Sequence, residues 1–343
     1  MESEFMTLPK LGVRLHGGMA PAACVELATL AERSGFAAIW FAENPFQRGV
    51  LPTVAACLVK TERITIGIGV FNPYNRHPTL IAMEMGALEE LAPGRTRLGI
   101  GSGIGKQVVR MGLDYGKPLG AVRDAIHIVR GLLRGDTVNH SGRVFSAHDV
   151  KLEFPPPARA PEILMAAMGE QALRLSGEIS DGLMISNMCP PGYTARAIAL
   201  MHEGAAKVGR APPPTVVQYV PCVARRDCAA ARAAIKPTIG SMLAAYWAMY
   251  AAMPSARAAM IQDSGIPEAD FTAAVDRLNA GAPATDALDD RFVDAYGIAG
   301  TAADCLAAAD RFGALGVTDL TVTCVGPQPA IDLQYLGAAL AGT

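Results

Sequence analysis

The chain has 343 residues, 51% of them hydrophobic and only 18% charged, against roughly 25% charged in an average soluble protein, so it can bury a large core and is not disordered. Lys+Arg 30 against Asp+Glu 32 leaves a formal net charge of −2 with no block of like charge, and nucleic-acid binding, which needs a basic surface, is excluded on that ground. The first thirty residues lack a secretory pattern, and the uncharged stretch Pro237–Ala256 is interrupted by Pro237, Gly240, Ser241 and Pro254; the expectation is a cytoplasmic protein without a membrane span.

Taken in order, Lys10–His16 reads as a strand, followed by a helix from about Ala20 to Ser34 that stops at Gly35. Ala37–Ala42, Ile64–Phe71 and Thr96–Gly101 are the next strands, with helices near Gly49–Lys60 and Pro78–Leu91, the latter ended by Pro93-Gly94. Apolar runs this short suit strands buried on both faces, hence a parallel sheet. A fourth helix near Pro118–Arg134 precedes the polar segment Thr137–Phe154, where Ser141-Gly142 between two alternating runs predicts a β-hairpin insertion. Strands at Glu162–Ala167, Gly182–Ser186, Thr215–Val223 and Asp319–Val325 complete a set of eight, each followed by a helix. Eight such repeats predict a closed (β/α)8 TIM barrel, α/β in class, as one domain over 1–343. The interval from Cys228 to Asp319 exceeds what one barrel helix needs. A helical insertion after strand seven, at about 230–295, is expected there, with the uncharged helix near Ile239–Ala252 serving as a lid or subunit contact.

Seven cysteines without a C-x-x-C, most of them in apolar runs, read as reduced buried thiols. The six histidines are scattered with no metal-ligand spacing, so no metal site is expected. G-x-S-x-G does not occur, and Ile100-Gly-Ser-Gly-Ile-Gly105 lacks the G-x-G-x-x-G spacing of a dinucleotide loop. Barrel sites lie at the carboxyl ends of the strands. The residues there are Arg14 and His16, Glu43 and Asn44, Asn72 to His77, Ser102 to Lys106, Met168 to Gln171, Ser186 to Cys189, and Gln218 with Tyr219.

The segment Gly67-Ile-Gly-Val-Phe-Asn-Pro-Tyr-Asn-Arg-His-Pro78 has a tightly specified backbone, since proline keeps Asn72 and His77 extended. It resembles the third-strand segment of the bacterial-luciferase-like superfamily, nearest the branch of methylenetetrahydromethanopterin reductase and other deazaflavin-dependent oxidoreductases. Leu88–Gly103 and Ser176–Leu183 resemble that family's fourth-strand and strand-six segments, and Tyr296–Thr301 its late Gly-Thr segment before the last helix, so the likeness spans roughly Leu11 to Val325. The resemblance implies a non-prolyl cis peptide at Gly69–Val70, forming a bulge under the central ring of a flavin or deazaflavin. It also implies cofactor contacts from Asn72 and from Gly101, Ser102 and Gly103. The cofactor tail's phosphate is then expected around Gly169 and Glu170 at a helix amino terminus, with Asn187 and Met188.

The chain departs from the family at two polar positions. The pterin reductases carry a glutamate where Arg14 stands, and many deazaflavin enzymes carry Asp-His where this chain has Glu43-Asn44. Arg14 suits an anionic substrate or cofactor edge, Glu43 suits proton handling, and His16 and His77 are the other titratable candidates. The expected activity is hydride transfer between reduced coenzyme F420 and a small organic substrate. Two alternatives stay open: an FMN-dependent monooxygenase fed by a flavin reductase partner, and a cofactor-free binding or structural barrel. The apolar rim, Met-rich segments and long insertion point to a homodimer.

Overall fold

The computed structural model describes residues 8–251, 254–326 and 328–341. Strands and helices alternate without interruption through β1 (Lys10–His16), α1 (Pro21–Arg33), β2 (Ala38–Ala42), α2 (Val50–Lys60), β3 (Thr65–Phe71), α3 (Pro78–Leu91) and β4 (Thr96–Ile100). A short helix, α4 (Gly105–Arg110), and then α5 (Pro118–Leu133) lead into an antiparallel hairpin, β5 (Val138–Ser141) and β6 (Ser146–Val150). Alternation resumes with β7 (Glu162–Ala166), α6 (Glu170–Ile179), β8 (Gly182–Ile185), α7 (Pro191–Lys207) and β9 (Thr215–Ala224). The insertion holds α8 (Cys228–Tyr250), α9 (Pro254–Gln262), α10 (Glu268–Asn279), α11 (Ala284–Ala287) and α12 (Asp290–Tyr296). β10 (Ile298–Gly300), α13 (Ala302–Ala314), β11 (Asp319–Cys324) and α14 (Pro329–Leu340) end the chain.

Parallel pairing runs β1–β2–β3–β4–β7–β8–β9–β11 and returns to β1, so eight strands close a barrel as expected, with each boundary within a residue or two of its predicted place. Three local expectations need correction. The hairpin follows the fifth helix, because the short α4 carries no periodic signal of its own. The lid helix is longer than expected: α8 runs straight through Pro237, with one ladder hydrogen bond missing, and the anticipated end at Ala252 lies outside the described residues. The late Gly-Thr segment forms β10 and the cap of α13, one helix before the last, with Thr301 and Asp304 in a reciprocal capping box. Among the described residues no helix is long and apolar enough to cross a membrane.

Strand parity decides what fills the barrel. Residues on one face of the strands, such as Val13, Ile39, Ile66 and Leu98, pack outward against the helices, while Ala38, Trp40, Leu164, Met184, Val217 and Tyr219 on the other face form a separate cluster inside. Glycines on β3 and β4 make room for the large ones. A Cβ on Gly67 would run into the Trp40 indole, and one on Gly69 into the Tyr219 hydroxyl and Met184. At the amino-terminal end of the strands the interior is sealed by charge. Arg97 of β4 reaches across the barrel to Asp319 of β11 at 2.8 Å and pairs with Glu162 of β7 at 3.1 Å. β9 outlasts its neighbours. Its last residues, Cys222–Ala224, pair with β10 and so carry the insertion on the barrel's upper rim.

The hairpin is pinned by one buried carboxylate. Asp124 of α5 is 3% exposed; it accepts the Val144 and Phe145 amides at 2.8 and 3.1 Å and bonds His140 at 3.0 Å. Phe145 in turn packs edge-on against Tyr74 and His77, bracing the loop that follows β3. Burial pushes the Asp124 carboxyl up, but these hydrogen bonds outweigh it and leave it below its ordinary value. With a depressed folded pKa, its contribution is full above the unfolded value and is lost as pH falls through the folded one. Asp124→Ala leaves two amides unpaired and is expected to lose about 2–4 kcal/mol at neutral pH. Thermal unfolding of both proteins as a function of pH checks this: the gap between them should narrow below about pH 4. Equal melting temperatures at pH 7 would refute it.

Candidate active site

At the carboxyl end of the strands, inward-facing positions converge from separate elements. The Gly69–Val70 bond is cis, and the register between β3 and β4 shifts between Gly69 and Phe71, so the expected bulge is present. Tyr219, from the opposite side of the barrel, donates its hydroxyl to the Gly69 carbonyl at 3.4 Å. Gly101 faces the bulge, and a Cβ there would lie 3.2 Å from both Val70 Cγ2 and Ala166 Cβ. Gly69 and Gly99 take the Tyr219 hydroxyl and the Met184 side chain against this wall, and Gly101 leaves room for Val70 of the bulge.

Arg14 projects from β1 with its guanidinium carbon 5.3 Å from the centroid of the Tyr219 ring, a cation–π contact inside the mouth. Its Nε is buried with no hydrogen-bond partner. Glu43, just past β2, has a side chain 10% exposed; Oε1 accepts from Arg76 Nη2 at 3.3 Å and Oε2 is buried and unpartnered. Arg76 lies over the Phe71 ring and also faces Glu84 at 3.7 Å. Burial raises the Glu43 pKa, against the opposing pull of Arg76. His16 accepts the Gly18 amide on Nδ1 at 3.2 Å, which puts the proton of its neutral ring on Nε2. Burial, and secondarily Arg14, lowers its pKa and favours that neutral form.

His77 is differently employed. It caps α3, its Nδ1 lying 3.3 Å from the Thr79 amide and 2.9 Å from the Thr79 hydroxyl, and its ring packs on Phe145. Asn72 is buried, turns the loop by accepting the Tyr74 amide at 2.9 Å, and lies against Gly103, at φ +69°, where any Cβ would collide with its side chain. Asn44 likewise closes a turn onto the Phe46 amide. Ser102 is half-buried and Gly103 exposed, in the loop between β4 and α4.

Further round the mouth, Gly169 is the N-cap of α6; no side chain caps it, and a Cβ there would meet nothing within 4 Å. Glu170 is exposed and pairs with Arg174 at 3.1 Å and Arg196 at 3.9 Å. Asn187 is buried with Oδ1 unpartnered, whereas Met188, at φ +60°, packs into the insertion's own core with Ile235, Ile239 and Tyr250. The insertion reaches the mouth through α8. Tyr246 shares a hydrogen bond with Ser186 and lies near Arg14, and Tyr250 Oη reaches Met168 Sδ at 3.3 Å.

Sequence reasoning missed Tyr246 and Thr323 as site residues, and it placed Arg76, Ser186 and Tyr219 at the strand ends without giving them a role. Thr323 follows from strand parity, as an inward position near the end of its strand. Nothing in the sequence around Tyr246 marks it. Among the described residues no group of three or more His, Cys, Asp or Glu could hold a metal ion. Cys24, Cys57, Cys189, Cys222 and Cys305 are buried and unpaired, Cys324 is half-buried and Cys228 is exposed.

A closed barrel with a bulged third strand and converging unpaired polar atoms at its mouth defines a (β/α)8-barrel enzyme. The chain belongs to the luciferase-like monooxygenase family, which it matches over residues 1–319, and its homologues are oxidoreductases. It is 29% identical over 320 residues to 5,10-methylenetetrahydromethanopterin reductase of Methanolobus tindarius, covering 92% of this chain and 94% of that one. It is 33% identical over 208 residues to F420-dependent glucose-6-phosphate dehydrogenase of Beutenbergia cavernae, covering 56% and 60%. The fold is shared with the coenzyme F420-dependent tetrahydromethanopterin reductase of Methanopyrus kandleri, at TM-score 0.82 and 21% identity over 96% of this chain and 97% of that one. It is also shared with the FMN complex of the oxygenating constituent of 3,6-diketocamphane monooxygenase from Pseudomonas putida, at TM-score 0.72 and 18% identity over 97% and 98%.

Proposed function

We propose that this chain is an oxidoreductase that moves hydride between coenzyme F420 and a small organic substrate. The observation that carries the reading is the β3 bulge between Gly69 and Phe71, bordered at the strand ends by titratable and cationic side chains. The relatives named for F420 or for a pterin reduction favour the deazaflavin over FMN. The residues present fit such a group. The unpartnered Asn187 Oδ1 offers an acceptor to ring N–H, and the uncapped amino terminus of α6 at Gly169 offers backbone N–H groups to a phosphate. Val70, Gly101, Ser102, Gly103 and Asn72 would line the ring side, while Glu170 and Met188 act through the structure around it.

Bound deazaflavin supplies a hydride donor or acceptor at its C5 carbon. The chain's own part is to position and to handle the proton. Glu43 holds one carboxylate oxygen on Arg76 and leaves the other free, so its orientation is fixed while a proton can reside on Oε2. Neutral His16 presents an Nε2–H donor beside Arg14. Tyr246 and α8 cover the mouth and limit water there.

Titration of the purified protein with F420 and with FMN, each oxidised and reduced, tests the reading by fluorescence and absorbance. Binding of F420 well below about 100 μM with FMN at least tenfold weaker is the expected result. Preference for reduced FMN makes the chain an oxygenase that borrows reduced flavin from a reductase. Binding of neither refutes both.

A further inference from the structure

Among the described residues, Arg14 is the half-buried cation of the mouth that no carboxylate pairs. Arg76 is held between Glu43 and Glu84, and His16 is biased to its neutral form, so neither adds free positive charge. Arg14 is different. Its Nε is buried without a partner, and its guanidinium lies over the face of Tyr219, a neutral ring whose burial keeps its hydroxyl protonated. Beside it, β1 pairs with β11 in the register Val13↔Val322, which sets Thr323 next to Arg14 on the same inward face. Thr323 Oγ1 is also buried and unpartnered. Tyr246 lies over the same corner from α8. Buried polar atoms are ordinarily paired, and two orphans on adjacent strands at one level are unusual unless a ligand meets both.

We propose that Arg14 and Thr323 form a subsite for a carboxylate on the substrate, so that this enzyme acts on small monocarboxylates. The guanidinium fork matches a planar carboxylate in two parallel hydrogen bonds, and the Thr323 hydroxyl takes a remaining lone pair. A single uncompensated charge matches a monoanion; a phosphate dianion in so covered a place would call for a second cation, and Arg76 is already committed. The subsite lies on the β1–β11 side of the mouth, whereas Gly169 at the start of α6 follows β7, so the substrate's carboxylate and the cofactor's phosphate are held by separate elements. The assignment of the carboxylate to substrate rests on the hydride-transfer reading, whereas the anion preference itself does not.

The test measures binding of matched probes, butanoate against butanamide and benzoate against benzamide, by thermal shift and tryptophan fluorescence, with and without saturating oxidised F420. Wild type is expected to bind each carboxylate at least about tenfold more tightly than its amide, the scale of a charge-assisted pair. Arg14→Gln should erase the difference, Arg14→Lys should keep part of it, and Thr323→Val should weaken carboxylates a few-fold, all with F420 affinity within about twofold of wild type. Circular dichroism establishes that each variant is folded, and Thr323→Val supplies the test if Arg14→Gln is not. Equal binding of acids and amides by wild type overturns the subsite. Loss of F420 affinity in Arg14→Gln moves Arg14 to the cofactor's edge and also overturns it. If F420 binds no form of the protein yet the carboxylate preference persists, the hydride-transfer reading fails and the anion subsite stands.

Discussion

Gly69→Ala is expected to weaken cofactor binding by at least tenfold and to destabilise the barrel by about 1–3 kcal/mol, the usual penalty for a methyl forced into a filled core. The added Cβ would overlap the Tyr219 hydroxyl and come within 2.5 Å of Met184 Cε and 3.0 Å of Trp40 Cε3. All three belong to the cluster inside the barrel, where Trp40 is fully buried and none has free space to retreat into. The cheapest response is to push the bulge outward, which moves Val70 and breaks the Tyr219 bond to the Gly69 carbonyl. Fluorescence titration with F420 and a melting curve read the two effects. Gly169→Ala serves as the contrast, because its Cβ would meet nothing within 4 Å and its melting temperature should scarcely move. A Gly69→Ala protein with wild-type affinity would show that the wall beside Val70 is not the ring seat.

The second large effect belongs to Glu43→Gln. General acid–base groups contribute typically 10²–10⁴-fold, and a drop in kcat of that order is expected with cofactor affinity retained. The carboxamide preserves the shape of the side chain, and Arg76 keeps Glu84 as an ionic partner at 3.7 Å, so the loop after β2 should hold. The pH dependence separates a proton-handling role from a merely structural one. Burial raises the Glu43 pKa above the usual carboxylate value, although Arg76 opposes it. When substrate is reduced, the protonated acid is the active form, so the rate falls as pH rises through that raised value. When substrate is oxidised, the carboxylate is the active form and the rate climbs over the same window. Glu43→Gln should flatten this limb in both directions. A variant slowed equally at every pH, with the limb intact, would assign the proton to another group, with His16 next in line.

The barrel was legible because its strands are short apolar runs punctuated by Gly and Pro, a pattern that parallel strands buried on both faces impose. Position alone then placed Arg14, His16 and Glu43 at the mouth, since the residues that follow a barrel strand face it. What position could not tell was which polar groups are already spoken for. His77 and Asn72 sit at the right places in the sequence, yet one caps a helix and the other closes a turn, roles written in hydrogen bonds to Thr79 and Tyr74. Arg76 follows the third strand in the sequence, and only the folded chain brings Glu43 and Glu84 to it. Tyr246 was invisible for another reason. It lies within an Ala- and Met-rich helix whose apolar residues face several ways, so no periodicity distinguishes the position that leans over the mouth from those that pack on α10 or α12.

The charged plug of Arg97, Asp319 and Glu162 sits at the end of the barrel opposite the candidate site. Between the two, Trp40, Leu164, Met184, Val217 and Tyr219 fill the interior, so nothing passes through the barrel. A change to the plug is a change to foundations: it should be felt in how firmly the barrel stands, and not in what its mouth holds.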